Sequence, residues 1–394
     1  MSEEKRLDLD IDVPEVYKQY RAKLATVGLG MRPANGDGKG WKFLSTCVSP
    51  EDAEIIVKMK YEWQTAAEYA EINGITEEEA EKQLYSASTR GGVYRKVRED
   101  GTHLYAISNM AHGIWEFNVE KQTPEFVDDF MAGQMGQVNT FNYPDNPYPF
   151  FRTMPISEKV LGDGETLDEW DDIETYIRNA SCINMWTCAC CEAFRKGNGG
   201  ERMNMRGENV PPTAVEEDRP TETCMVLNDM AKYYTENGWG RQVSVEEALA
   251  IKDELIFKYR LFPEVFNSKK AEVICYCDGK WCLTLPQRKF QDFPDACTNY
   301  YLQKDYTKCT NCGKCVSRCC LSLHAYDARG KVIFNNKNCL ACGQCVLDCP
   351  TDALKIYKKP NVNYIPPDDL MDQNRKMAEW SGRIESRPFD PEKK

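Results

Sequence analysis

Eight cysteines constrain this chain more than any other feature. Cys309, Cys312, Cys315 and Cys319 follow a C-x2-C-x2-C-x3-C spacing; thirty residues on, Cys339, Cys342, Cys345 and Cys349 repeat it, followed by Pro350. The spacing has a geometric cause. Each corner iron of a cubane takes one thiolate, and two-residue steps let a tight loop present three while its amides point at the sulfides. The fourth thiolate of each run reaches across to the other cluster. One [4Fe–4S] cluster is therefore expected on Cys309, Cys312, Cys315 and Cys349, and a second on Cys339, Cys342, Cys345 and Cys319. Zinc is the alternative for four thiolates, but two nested runs with crossed ligation suit it poorly.

The remaining composition is in keeping. The chain has 394 residues, room for two or three domains and a sizeable core. Of its 19 cysteines one, Cys47, lies in the first 181 residues, and the others cluster at ligand-like spacings. A chain this long, whose start Met1–Arg6 runs into alternating Asp and apolar residues, is not a small disulfide scaffold. No window approaches the roughly 18–20 apolar residues of a membrane span, so a cytoplasmic protein is expected. With three His in all, a metal site must be built mainly from thiolates, which favours zinc or iron–sulfur over magnesium or calcium. The net charge of −12 repels phosphate backbones unless a basic patch is concentrated somewhere.

The doubled pattern extends past the ligands. Gly313 and Gly343 follow the second cysteine of each run, and Leu354, Ile356 and Val332–Phe334 read as strands walling off the clusters. Over about Asp305–Tyr357 the chain resembles the bacterial dicluster ferredoxin. That resemblance implies a fold holding both clusters close enough for electron hopping. Cys320 departs from it, standing where such ferredoxins usually place proline, so a looser turn and a spare thiol are expected. Asp348 and Asp352 either favour the oxidised state or lie as solvated surface.

A second set of thiols lies upstream: Cys182, Cys188, Cys190 and Cys191, then Cys224, then Cys275, Cys277 and Cys282. Chelating C-x-C pairs reinforced from distant segments are what a buried metal site gathers on folding. Together with Glu222-Thr223-Cys224 and Tyr233-Tyr234…Asn237-Gly238-x-Gly240-Arg241, they resemble an iron–sulfur family of strict anaerobes. Its members place a winged-helix-like start and a Cys-rich middle before a dicluster ferredoxin. An additional [4Fe–4S] cluster on Cys188, Cys190, Cys191, Cys224, Cys275, Cys277 and Cys282 is expected, with structural zinc or reduced core thiols as alternatives. Cys47 and Cys297 stand alone and read as core thiols.

The fold class expected is α+β and multidomain: an N-terminal segment 1–46, a winged-helix-like domain 47–118, a Cys-rich mixed middle region 119–300, a ferredoxin-like dicluster domain 301–357 and a C-terminal arm 358–394. In the first segment, the glycines from Gly28 to Gly40 lack the dinucleotide fingerprint and read as a loop. In the second, helices are predicted over Pro50–Met59, Thr65–Ile72 and from Thr76, with a Thr76/Glu79 capping box. A hairpin of Val93–Arg98 and Thr102–Ile107 turns at Asp100-Gly101. Such a fold often reads DNA with its third helix. Here that helix opens on Glu77, Glu78, Glu79 and Glu81, which Lys82, Arg95, Lys96 and Arg98 do not offset, so DNA is not the expected partner.

These features point to an electron-transfer subunit docking a redox protein or a catalytic oxidoreductase subunit, rather than to an enzyme in its own right. A redox-sensing regulator using the winged helix is the rival. A self-contained reductase is disfavoured by the lack of a C-x3-C-x2-C triad, a phosphate loop or a readable nucleophile–base pair.

Overall fold

A computed structural model describes residues 13–25, 41–127, 129–130, 147–149, 151–197, 202–203, 209–210, 218–277, 282 and 298–380. It mixes helices with several separate sheets and divides into two compact units. One comprises Met1–Thr140, Lys232–Trp239 and Met371–Lys394; the other comprises Phe141–Ala231 and Gly240–Leu370. The glycine-rich stretch from Gly28 to Gly40 and Cys297 lie outside the described residues.

In the first unit, α1 (Glu15–Ala25), α2 (Trp41–Cys47), α3 (Pro50–Val57), α4 (Ala66–Asn73) and α5 (Glu77–Ser88) precede a hairpin of β1 (Val93–Val97) and β2 (His103–Ile107). Ser49 caps α3, accepting the Asp52 N–H at 3.2 Å, and Pro50 follows where its missing N–H is harmless. The predicted box at Thr76 and Glu79 forms by half. Thr76 accepts the Glu79 N–H at 3.2 Å, but the Glu79 carboxylate takes the Gln83 amide instead. The reciprocal box sits one helix earlier, between Thr65 and Glu68. The hairpin turns at Gly101, whose φ of +85° suits only a residue without Cβ penalty. Arg95 is buried, its guanidinium paired with Glu236 at 2.8 Å, so it is spent internally rather than offered to a polyanion. Glu81 is likewise engaged, by His103 and Tyr105.

The second unit is built on a six-stranded sheet in the order β3-β9-β10-β7-β4-β8. Its strands are β3 (Phe151–Thr153), β4 (Ile183–Thr187), β7 (Glu222–Leu227), β8 (Arg241–Gln242), β9 (Phe262–Phe266) and β10 (Val273–Cys277), all paired antiparallel. A separate ladder joins β5 (Arg202–Met203) to β6 (Asn209–Val210). Successive side chains of a strand alternate between faces. One face of the sheet carries Met185, Met225, Ile274 and Val265 side by side, each with no exposed surface. Helices α6 (Ile173–Arg178) and α7 (Ala189–Gly197) belong to this unit, α8 (Asn228–Glu236) is divided between the two units after Ala231, and α9 (Val245–Asp253) belongs to this one; Ser244 caps α9, accepting the Glu247 N–H at 3.2 Å.

Two further hairpin-like pairs follow: β11 (Tyr300–Lys304) with β14 (Leu354–Lys358), and β12 (His324–Tyr326) with β13 (Val332–Phe334). Between them lie two short helices, α10 (Lys314–Arg318) and α11 (Gln344–Leu347), each entered through a left-handed glycine, Gly313 or Gly343. The apolar core is continuous from Ile274 and Phe262 in the sheet to Leu340, Val346 and Ile356 here. Backbone bonds seal the junction, with Ile156 N–H donating to Cys342 O at 2.9 Å and Gly162 N–H to Ile356 O at 2.8 Å. Downstream, Lys269 and Lys270 N–H groups donate to Pro367 O and Asp368 O, so the start of the arm folds back on its own unit. Helix α12 (Leu370–Trp380) ends the described chain. Among the described residues no helix is long and apolar enough to cross a membrane.

Candidate functional site

The two cysteine runs wall two cavities, and each cavity draws on both runs. Cys309, Cys312 and Cys315 line the first together with Cys349. Cys339, Cys342 and Cys345 line the second together with Cys319. The cause is the near-twofold repeat: each short helix carries the third cysteine in its first turn and delivers the fourth to the neighbouring loop. A Cβ added at Gly343 would stand 2.5 Å from Val160 Cγ2, so the loop packs this closely only with glycine there.

The two cavities differ in access. Cys312 is exposed, whereas Cys345 is buried and Cys342 lies beneath the Ile156–Gly162 segment. Burial pushes the Cys339 and Cys342 thiols up to about 12 and raises those of Cys345 and Cys315. Thiolates here therefore need a compensating cation. Arg318 supplies fixed positive charge close by. Buried behind the second cavity, it donates to Gln344 Oε1 at 2.8 Å and pairs with Asp348 at 3.2 Å. Asp348 is thus an ion-pair partner rather than free charge, and Asp352 pairs with Lys355 at 3.4 Å. Cys320 lines the second cavity beside Cys319.

The groups present fit an iron–sulfur cluster in each cavity. Cys309, Cys312, Cys315 and Cys349 offer four thiols to the first, and the second has Cys320 beside its four. His324 also lines the second cavity, fully buried, and neither ring nitrogen has a hydrogen-bond partner among the described residues. An orphaned N–H there suits an acceptor such as a cluster sulfide. Sequence reasoning passed over His324 because a lone histidine carries no spacing signal.

Upstream, most of the predicted thiols converge on the sheet face opposite Met225 and Ile274. Across the sheet run Thr153, Glu264, Cys275, Cys224 and Trp186, each directly opposite the next on strands β3, β9, β10, β7 and β4. Cys277 lies on the same face two residues beyond Cys275. Cys188 follows the end of β4, and α7 brings Cys190 and Cys191 back to it. The Cys188 thiol is pushed up, foremost by its hydrogen bond with Cys190, with burial and the nearby Cys275 adding. Cys277 is pushed up by hydrogen bonds with Cys275 and Cys282. Arg219, buried, donates to Cys191 Sγ at 3.4 Å. Cys182 does not join them. It precedes the far end of β4, where its carbonyl accepts from Asn228 N–H. Cys47 is a buried thiol whose pKa is raised by desolvation, as a core residue's should be.

The residue overlooked here is Glu264. It is fully buried, accepts from Thr153 Oγ1 at 3.0 Å, and stands with Oε2 at 3.9 Å from Cys282 Sγ. Its signal was a carboxylate inside the otherwise apolar Phe262–Phe266, a placement that needs compensation.

Residues 308–354 match the family described as a 4Fe-4S dicluster domain. The chain is also 33% identical over 81 residues to a protein named archaeal-type glutamate synthase [NADPH] from Dehalococcoides mccartyi. That match covers 19% of this chain and 16% of the relative. No solved structure matches. The domain match and the cysteine content together support an iron–sulfur electron-transfer role.

Proposed function

We propose that this chain is a cytoplasmic electron-transfer subunit of an anaerobic oxidoreductase system, relaying charge between a centre on its middle sheet and a redox partner. In this reading Cys309, Cys312, Cys315 and Cys349 hold one [4Fe–4S] cluster and Cys339, Cys342, Cys345 and Cys319 hold the other. Such clusters supply one-electron transfer when bound; the chain sets their spacing, burial and access. The observation that carries the reading is that each cavity gathers three cysteines of one run and the fourth of the other.

The residues also imply a direction. Cys277 lies opposite Phe262, and the carbonyl of the adjoining Leu261 accepts from Gln344, next to Cys345. The thiol face thus adjoins the buried cavity, while exposed Cys312 marks the cavity that meets a partner. A further cluster on the upstream thiols, drawn from Cys188, Cys190, Cys191, Cys224, Cys275, Cys277 and Cys282, would feed or drain the pair. The resemblance to a glutamate synthase fits a chain serving a reductive catalytic subunit.

The winged-helix-like reading of residues 47–118 rests on three helices followed by a hairpin between Pro50 and Ile107, and we assign it a docking role. Glu77, Glu78 and Glu79 on its third helix and the internal pairing of Arg95 disfavour a polyanion, and with it the regulator. Anaerobic purification with iron and sulfide counting tests the proposal. About eight irons per chain correspond to the dicluster pair and about twelve to a third cubane, whereas colourless, iron-free protein refutes it.

A further inference from the structure

We propose that Glu264, Cys277 and Cys282 form a separate site for one divalent ion of the zinc class, distinct from any cubane on the same sheet face. The proposal divides the upstream thiol set of the preceding reading but does not require a third cubane to exist. Its ground is geometric. The candidate ligand atoms of these three residues all lie within 4.8 Å of one another, and Cys282 Sγ is 3.9 Å from Glu264 Oε2. With metal–sulfur bonds of about 2.3 Å and metal–oxygen bonds of about 2.0–2.2 Å, ligands sharing one tetrahedral ion stand roughly 3.5–4 Å apart. A cubane instead seats each thiolate on its own corner iron, and the corners direct their ligands away from one another. Three donors drawn this close suit one ion better than three corners.

The surroundings agree. Glu264 and Cys282 are buried, and a buried carboxylate beside two thiols accumulates negative charge that a cation would neutralise. Thr153 holds Oε1 of Glu264 at 3.0 Å and leaves Oε2 toward Cys282, the outer support that orients a ligating carboxylate. Two sulfurs and one oxygen exclude the oxygen-loving magnesium and calcium and match zinc. Among the described residues three donors converge, leaving a fourth tetrahedral position for water or another small ligand. Cys188, Cys190, Cys191, Cys224 and Cys275 remain for a cubane.

The test uses the full chain purified without air, with iron and zinc counted together and the zinc exchanged for Co2+ as an optical probe. About one zinc per chain is expected beside the iron, and Co2+ should give a thiolate charge-transfer band. Cys282→Ser should remove the zinc and leave iron unchanged. Glu264→Gln, nearly isosteric, should weaken Co2+ binding by about tenfold or more, with circular dichroism confirming the fold. The proposal is overturned if Cys282→Ser removes about four irons, if Glu264→Gln binds Co2+ as the unaltered chain does, or if neither zinc nor the cobalt band is found. Zinc present with only the ferredoxin iron would sink the third cubane and leave this site standing.

Discussion

His324 stacks on Phe334 with ring centroids 4.7 Å apart, and this holds its ring against the cavity of Cys319, Cys339, Cys342 and Cys345. Burial, with the Lys304 charge adding, lowers its pKa from 6.5 to about 4. The folded protein therefore keeps the ring neutral, with one N–H free to donate. Replacing His324 with Leu removes that donor, and the potential of the inner centre should fall by tens of millivolts in a redox titration followed by EPR. Because the folded pKa is depressed, the stability that neutral His324 contributes is complete above about pH 6.5 and is lost as the pH falls toward about 4. Unfolding measured across that window should be steeper for the unaltered chain than for His324→Leu.

Crossed ligation makes a prediction that single substitutions cannot mimic. Cys349→Ser and Cys309→Ser should each remove about four irons, and the double variant no more than either alone, because both cysteines serve the outer cavity. Cys349→Ser with Cys339→Ser should empty both cavities. If instead Cys349 and Cys339 share one centre, the two double variants exchange results.

The dicluster domain was legible because its ligands are local in sequence: eight cysteines at fixed steps leave little freedom in the loops that carry them. The helices and the hairpin of residues 50–107 were legible from Pro50, Thr76 and Asp100-Gly101, which act within a turn of themselves. The thiol face was legible only as a list of cysteines. Its order depends on strand register, which sets Cys275 opposite Glu264 on one side and, on the other, opposite Cys224 from a distant stretch of the chain, and no local spacing encodes that. Register likewise separates Cys182 from Cys188, although both flank the same strand. The partner of Glu79 was misjudged for a related reason, since a surface carboxylate takes whichever donor packing brings within reach.

Gln344 ties the buried cavity to the middle sheet. Its amide donates to Ile256 O at 3.1 Å and to Leu261 O, while its oxygen accepts from Arg318 Nε at 2.8 Å. Leu at this position would fill similar volume but orphan three buried polar groups, two carbonyls and a charged donor. At about 1–3 kcal/mol for each such group, the loss should total roughly 3 kcal/mol after relaxation. Denaturant unfolding of Gln344→Leu should show it, whereas Gln344→Glu should retain the Arg318 contact and lose the two carbonyl bonds.

The outer cavity presents a different surface from the chain as a whole. Although the net charge is −12, the exposed side chains beside Cys312 include Lys308, Lys314 and Lys331, set among exposed Tyr306, Tyr326 and Ile333. Lys314 lines the cavity itself, and Tyr326 packs its hydroxyl over Gly313. Asp305, shared with Lys308, and Asp327, which accepts the Lys331 N–H at 2.8 Å, are the nearby counter-charges. A cationic rim around an apolar centre selects an acidic partner and accelerates its approach more than it strengthens the final complex. Electron exchange with such a partner should slow as salt rises, and Lys314→Glu with Lys331→Glu should lower the association rate by about tenfold at low salt. Iron content and the EPR signals should be unchanged in that variant, since neither lysine is a ligand. A rate indifferent to both salt and these charges would show that the partner docks elsewhere, and the inner cavity, not the outer one, would then be the point of exit.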